Sequence, residues 1–145
     1  MILYLDTSAL VKLYVEEPLS QELTVAVADA EAVATSLVAY VESRAAFARA
    51  RREARLSAQI YRRIEEAFAT DWPRYISIEV TDLLVKDAGD LAVTRSLRGY
   101  DALHLASAVS LRQQVNTSVT FLAFGRALSL AAKREALTLH PLGGR

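Results

Sequence analysis

The sequence predicts an α/β fold, with a central parallel β-sheet of four to five strands and helices on both faces. Three observations carry that expectation. The run at 2–5 is continuous in apolar character, as a strand covered on both faces requires. Stretches of helical length separate such runs in the order β-α-α-β-α-α-β-α-α-β-α-β, which a parallel sheet with crossover helices satisfies. At 145 residues, 52% hydrophobic and 23% charged, the chain suits one domain, 1–145, with its own core.

Each element has a local reason. The strand 2–5 ends at Asp6, and Thr7 and Ser8 are capping types for a helix over about 9–15. Pro18 breaks the chain before a helix over 20–28, and 32–35 reads as a short strand. Ser36 caps a long helix over about 37–54, and 57–69 follows with Ile60, Ile64, Ala67 and Phe68 at helical spacing. Trp72-Pro73 closes that pair. A strand over 75–80 leads to a helix capped by Thr81 or Asp82 and running to about Thr94. Gly99 ends the link to an apolar helix opening at Asp101. Gly125 is the turn between strand 118–123 and a helix over 127–135, and 138–140 is a final edge strand before Pro141.

Composition excludes several classes of function. With no cysteine there is no disulfide framework, thiolate zinc site or cysteine nucleophile. The opening Met1-Ile2-Leu3-Tyr4-Leu5-Asp6 carries no basic leader or cleavage-site pattern, and no apolar run approaches a membrane span, so a cytoplasmic protein without membrane partners is expected. Formal net charge is zero, yet 42–63 holds seven arginines against two glutamates. Arginine suits bidentate contact with phosphate or carboxylate.

In a parallel sheet the ligand crevice lies beyond the carboxyl ends of the strands. Asp6 falls there, read either as a helix cap or as a site carboxylate. On the helix 37–54, Val38, Val41, Glu42 and Ala45 share one face, so Glu42 is expected inside an apolar stripe, where it must be paired, protonated or metal-bound. Asp101 opens its helix, where the dipole favours an anion, with His104 at i+3 as a core or supporting histidine. Three carboxylates at the mouths of separate βα units, without cysteine or paired histidines, suit Mg²⁺ or Mn²⁺ better than Zn²⁺.

The segment Leu3-Tyr4-Leu5-Asp6-Thr7-Ser8-Ala9-Leu10, Glu42 on its helix, and Asp101-Ala102-Leu103-His104-Leu105-Ala106-Ser107-Ala108 together resemble the PIN-domain nucleases. The likeness extends to Phe121-Leu122-Ala123-Phe124-Gly125-Arg126-Ala127-Leu128 and is strongest to the VapC toxins of bacterial toxin–antitoxin pairs. It implies a Mg²⁺- or Mn²⁺-dependent endoribonuclease, homodimeric, neutralised by a small antitoxin whose tail covers the active site. By position, Asp6, Glu42 and Asp101 would hold the metal and activate water, with Thr7 or Ser8 in support. One departure stands out. The family usually has a fourth acid in a Phe-x-x-x-Asp arrangement, where this chain has Gly125, and no acid lies between Asp101 and Glu135. One ion is therefore expected rather than two.

Arg49 and Arg52 continue the expected Glu42 face and are candidates for RNA phosphate contacts; a solvated arginine face or a dimer surface is the plainer reading. Tyr40, Phe47, Tyr61 and Tyr100 are either base-stacking or packing aromatics. Gly125 is either a turn glycine or the entry to helix N–H groups that receive a phosphate. The missing acid also leaves a second function class open, a catalytically weakened PIN fold that binds RNA or protein. An aspartyl-phosphate enzyme ranks below both, because Ser8 stands where such enzymes need a second acid.

Overall fold

Residues Ile2 to Leu5 are all buried, so this run occupies the middle of the sheet, where neither face meets water. The computed structural model describes residues 1–144. Strands β1 (Ile2–Leu5), β2 (Ala32–Ser36), β3 (Ile76–Ile78), β4 (Val119–Leu122) and β5 (Thr138–Leu139) form one sheet in the order β3-β2-β1-β4-β5. All four pairings are parallel. The helices are α1 (Thr7–Lys12), α2 (Ser20–Asp29), α3 (Ala39–Arg52), α4 (Ala58–Asp71), α5 (Asp82–Thr94), α6 (Gly99–Gln114) and α7 (Arg126–Arg134), with a 3₁₀ turn over Trp72–Arg74. The expected α/β class and element order are those observed.

The two-residue period of β1 divides the core. Leu3 and Leu5 pack with Leu10 of α1, Leu23 of α2, Phe47 of α3 and Phe68 of α4. Ile2 and Tyr4 point the other way, toward Leu105 and Ala108 of α6 and Leu128 and Ala132 of α7. Helix α5 joins this second layer through α6, with Leu84 and Ala88 against Ala102 and Ala106.

Several boundaries differ from expectation for local reasons. Helix α1 begins at Thr7, and its cap is Asp6 rather than Thr7 or Ser8: the Asp6 carboxylate accepts the Ala9 N–H at 2.9 Å. Helix α6 begins at Gly99, which places Asp101 within its first turn. Ser36 does accept the Val38 N–H at 3.3 Å, but regular helix starts at Ala39. The strand expected over 75–80 shortens to three residues at the sheet edge, bonded to β2 alone.

The expected stripe on α3 is displaced by one residue. Ala39, Ser43, Phe47 and Ala50 are buried, whereas Val41 is 64% exposed. Phe47 decides this orientation, because its ring belongs to an aromatic cluster and lies 5.3 Å from Phe68 and 5.7 Å from Tyr14. Glu42 therefore sits at the margin of the buried face, half-buried, and not within an apolar stripe.

The strand order reverses between β1 and β4, since the chain leaves β1 toward β2 and returns on its other side. Asp6 follows β1 and Gly125 follows β4, so both lie at the crevice this reversal opens. The aromatic cluster anchors α3 and α4 beside it. Phe68→Ala should lower unfolding stability by about 3–5 kcal/mol, the usual range for removing a buried phenylalanine. Denaturant titration checks this, and a loss below about 1 kcal/mol would mean the cluster does not fix these helices.

Candidate active site

A cleft of about 970 Å³ occupies the crevice, and Asp6, Thr7, Ser8, Glu42, Asp101 and His104 all line it. Four elements supply them. Asp6 ends β1, Thr7 and Ser8 open α1, Glu42 comes from α3, and Asp101 and His104 lie one turn apart on α6. The sequence-expected acids thus share one cleft, although no three His, Asp or Glu groups among the described residues stand gathered as a ready metal cage.

Asp6 is 6% exposed and serves as both cap and cleft floor. Ser8 Oγ lies 2.9 Å from each carboxylate oxygen, so its single proton is shared between them. Burial pushes the Asp6 carboxyl above its ordinary range. Electrostatic attraction to the His104 ring, the Ala9 N–H and the Ser8 hydroxyl pull it down, Asp101 pushes it up again, and the net shift is upward. Glu42 behaves in the opposite sense. Burial raises it, but hydrogen bonds from His104 and Thr7 outweigh that and leave it below the usual range. Thr7 Oγ1 donates to Glu42 Oε1 at 2.6 Å, and His104 Nε2 lies 2.9 Å from Thr7 Oγ1 and 3.3 Å from Glu42 Oε1. His104 is 2% exposed and makes the supporting contacts expected of it.

These positions lie within the span over which the sequence matches the PIN domain family, residues 3–133. The chain belongs to the PIN-domain family. Two similar proteins are ribonuclease VapC45 of Mycobacterium tuberculosis strain CDC 1551 / Oshkosh and ribonuclease VapC49 of strain ATCC 25618 / H37Rv. Each is 36% identical over 110 residues, covering 76% of this chain and 76% of the relative.

The PIN cleft also has a cationic rim. Lys12, Arg49, Arg98 and Arg126 line it, from α1, α3, the residue before α6, and α7. Of the two arginines expected on the Glu42 face, Arg49 lines the cleft while Arg52 is exposed outside it. Lys12 is paired with Glu17 at 2.8 Å and Arg49 with Glu53 at 2.8 Å. Arg98 and Arg126 form no ion pair among the described residues. Of the four aromatics considered, only Tyr100 borders the cleft; Phe47 is buried and Tyr40 packs on Phe68 and Trp72. Three rim cations were missed in the sequence, because Lys12, Arg98 and Arg126 come from segments with no shared periodicity.

Gly125 is the N-cap of α7 at φ −65°, ψ 130°, a conformation open to any residue. A Cβ built there meets nothing within 4 Å. Neither backbone nor packing requires glycine, so the turn-glycine explanation fails at this position.

The donor set fits a hard divalent cation. All three acids offer oxygen, and Asp6, the most buried, has no Lys or Arg within ion-pairing distance among the described residues. Without a cation, ionised Asp6 opposes folding: its folded pKa lies above the unfolded value, so stability falls as pH rises through that window. Glu42 has the reverse sign, stabilising the fold above the ordinary carboxylate range and losing that contribution as pH falls through its lowered folded pKa. Asp6→Asn, which keeps an acceptor for the Ala9 N–H, should raise metal-free stability at pH 7 by on the order of 1 kcal/mol. The gain should shrink toward acid pH; thermal unfolding across pH measures it, and a destabilised variant at pH 7 would show that the charge is already compensated.

Proposed function

We propose that this PIN domain is a Mg²⁺- or Mn²⁺-dependent endoribonuclease, the toxin of a VapBC-type toxin–antitoxin pair, hydrolysing RNA phosphodiester bonds. One observation carries most of the weight. Asp6, Glu42 and Asp101, distant in sequence, line one cleft at the reversal point of a PIN fold. The ribonuclease names of both relatives support the same reading and do not favour a non-catalytic binding module.

Asp6, Asp101 and Glu42 would hold one metal ion. When bound, such an ion polarises a phosphoryl oxygen and lowers the pKa of its water toward neutrality. The chain's own groups supply the remainder. Ser8 fixes both oxygens of Asp6, and Thr7 fixes one oxygen of Glu42. Burial pushes the Asp6 carboxyl upward, and a bound cation would favour its ionised form. Arg98, Arg126 and Arg49 at the rim receive backbone phosphates, which positions RNA without reading its sequence. Tyr100, 59% exposed at the same rim, offers a face for a base. Arg52, exposed beyond the rim, is left outside the proposed contact set.

Gly125 stands where the family's fourth acid usually lies, and this supports one ion rather than two. The chain's partners on this reading are RNA, a small antitoxin covering the cleft and a second copy of itself, in the cytoplasm where RNA and antitoxin are met. No helix among the described residues is long and apolar enough to cross a membrane.

Cleavage of a mixed RNA substrate with added Mn²⁺ tests the proposal. Asp6→Ala should lower the rate more than about a hundredfold, beyond the loss typical for groups behind metal ligands. Gly125→Asp fits the open space at α7 and should raise the rate or the number of ions bound. An inert wild type rescued by Gly125→Asp would identify a weakened fold, and Asp6→Ala cutting at the wild-type rate would remove the proposed site.

A further inference from the structure

The hydrogen bonds around Glu42 continue into the core. Tyr4 is fully buried on β1, and its hydroxyl lies 2.9 Å from His104 Nδ1. Its ring stacks on Phe121 with centroids 5.6 Å apart and planes 9° from parallel, a contact phenylalanine would make equally well. What tyrosine adds at this position is the hydroxyl. A buried polar pair in an apolar layer is unfavourable unless fully bonded, and here the bonds lead toward the cleft.

The protons can be assigned in sequence. A carboxylate only accepts, so the Thr7 hydroxyl proton lies on the 2.6 Å bond to Glu42 Oε1. Thr7 Oγ1 then accepts from His104 Nε2, 2.9 Å away, which places a proton on Nε2. The buried Tyr4 hydroxyl donates to Nδ1. The series runs one way, from Tyr4 through His104 and Thr7 to Glu42. Both contacts to the carboxylate fall on Oε1, so Oε2 has no hydrogen-bond partner among the described residues.

We propose that His104, held by Tyr4, is a positioning residue that fixes the direction in which Glu42 presents its free oxygen to the metal. The inference rests on Glu42 being a metal ligand. It gives α6 two tasks from residues three apart: Asp101 faces the cleft directly, and His104 orients an acid carried by α3. Such outer contacts set ligand orientation and are worth about 10–100-fold in metal affinity.

Mn²⁺ titration of the wild type, His104→Leu, His104→Gln and Tyr4→Phe tests it, with unfolding curves run alongside. His104→Leu should weaken Mn²⁺ binding by about 10–100-fold. His104→Gln, which keeps an N–H at similar reach, should recover most of that loss, and Tyr4→Phe should fall between. In RNA cleavage the loss should appear in kcat, with KM for RNA held. A folded His104→Leu that binds Mn²⁺ as the wild type does, or a His104→Gln no better than His104→Leu, would overturn the assignment. If His104→Leu does not fold, Tyr4→Phe decides: unchanged Mn²⁺ affinity overturns it, and weakened affinity in a stable protein upholds it. Wild-type protein that takes up no Mn²⁺ removes the metal reading itself and this inference with it, an outcome distinct from variants that match a Mn²⁺-binding wild type.

Discussion

A carboxylate buried at the end of a central strand is a costly arrangement that needs compensation. Asp6 is in that position. It follows β1, the strand flanked on both sides by others, and is 6% exposed. Two donors from the first turn of α1, the Ala9 N–H and the Ser8 hydroxyl, recover part of the lost solvation. His104 adds an electrostatic pull in the same direction, and burial still outweighs all three. The capping role and the site role of Asp6 are therefore not alternatives. Capping α1 holds the carboxylate at the cleft floor, where the proposed divalent ion would offset its charge.

The other site groups arrange themselves around this constraint. Asp101 adds to the opposition that Asp6 meets on ionising, which a cation in the cleft would relieve. Glu42 is already satisfied by Thr7 and His104 and sits below its ordinary range. The cleft thus contains one acid that is poorly stabilised when charged and one that is well stabilised, separated by residues of α1 and α6. Outside them, the arginines and Lys12 of the rim reverse the sign of the charge. A polyanion would meet the rim first and the acidic floor second, which suits a phosphodiester brought to a bound metal.

Much of this was legible in the sequence, and the failures have physical causes. The unalternating run at 2–5 and the switch to helical spacing fixed the central strand and the element order, while Asp6 followed from the crevice rule and Asp101 from its place in a first helical turn, both strengthened by the PIN resemblance. The buried face of α3 was not legible. Alanine, valine and tyrosine lie on several sides of that helix, so period alone does not choose; Phe47, drawn into contact with Phe68 and Tyr14, does. Glu42 was expected in the cleft for a reason that the structure removes, since its stripe is exposed at Val41. What brings it there is the hydrogen bonding of Thr7 and His104. Tyr4 gave no signal at all, because in a strand buried on both faces a tyrosine reads as one more apolar residue. Lys12, Arg98 and Arg126 escaped for a different reason, being contributed singly by separate segments that only the fold brings together.

The central claim is that the acid surplus on the cleft floor is completed by a metal ion. Anomalous diffraction from crystals of the wild-type chain soaked in Mn²⁺ tests it most directly. A single anomalous peak bounded by Asp6, Glu42 and Asp101 is expected, absent from crystals of Asp6→Ala prepared the same way. Saturating Mn²⁺ that leaves no peak in the cleft, or a peak that persists without the Asp6 carboxylate, would contradict it.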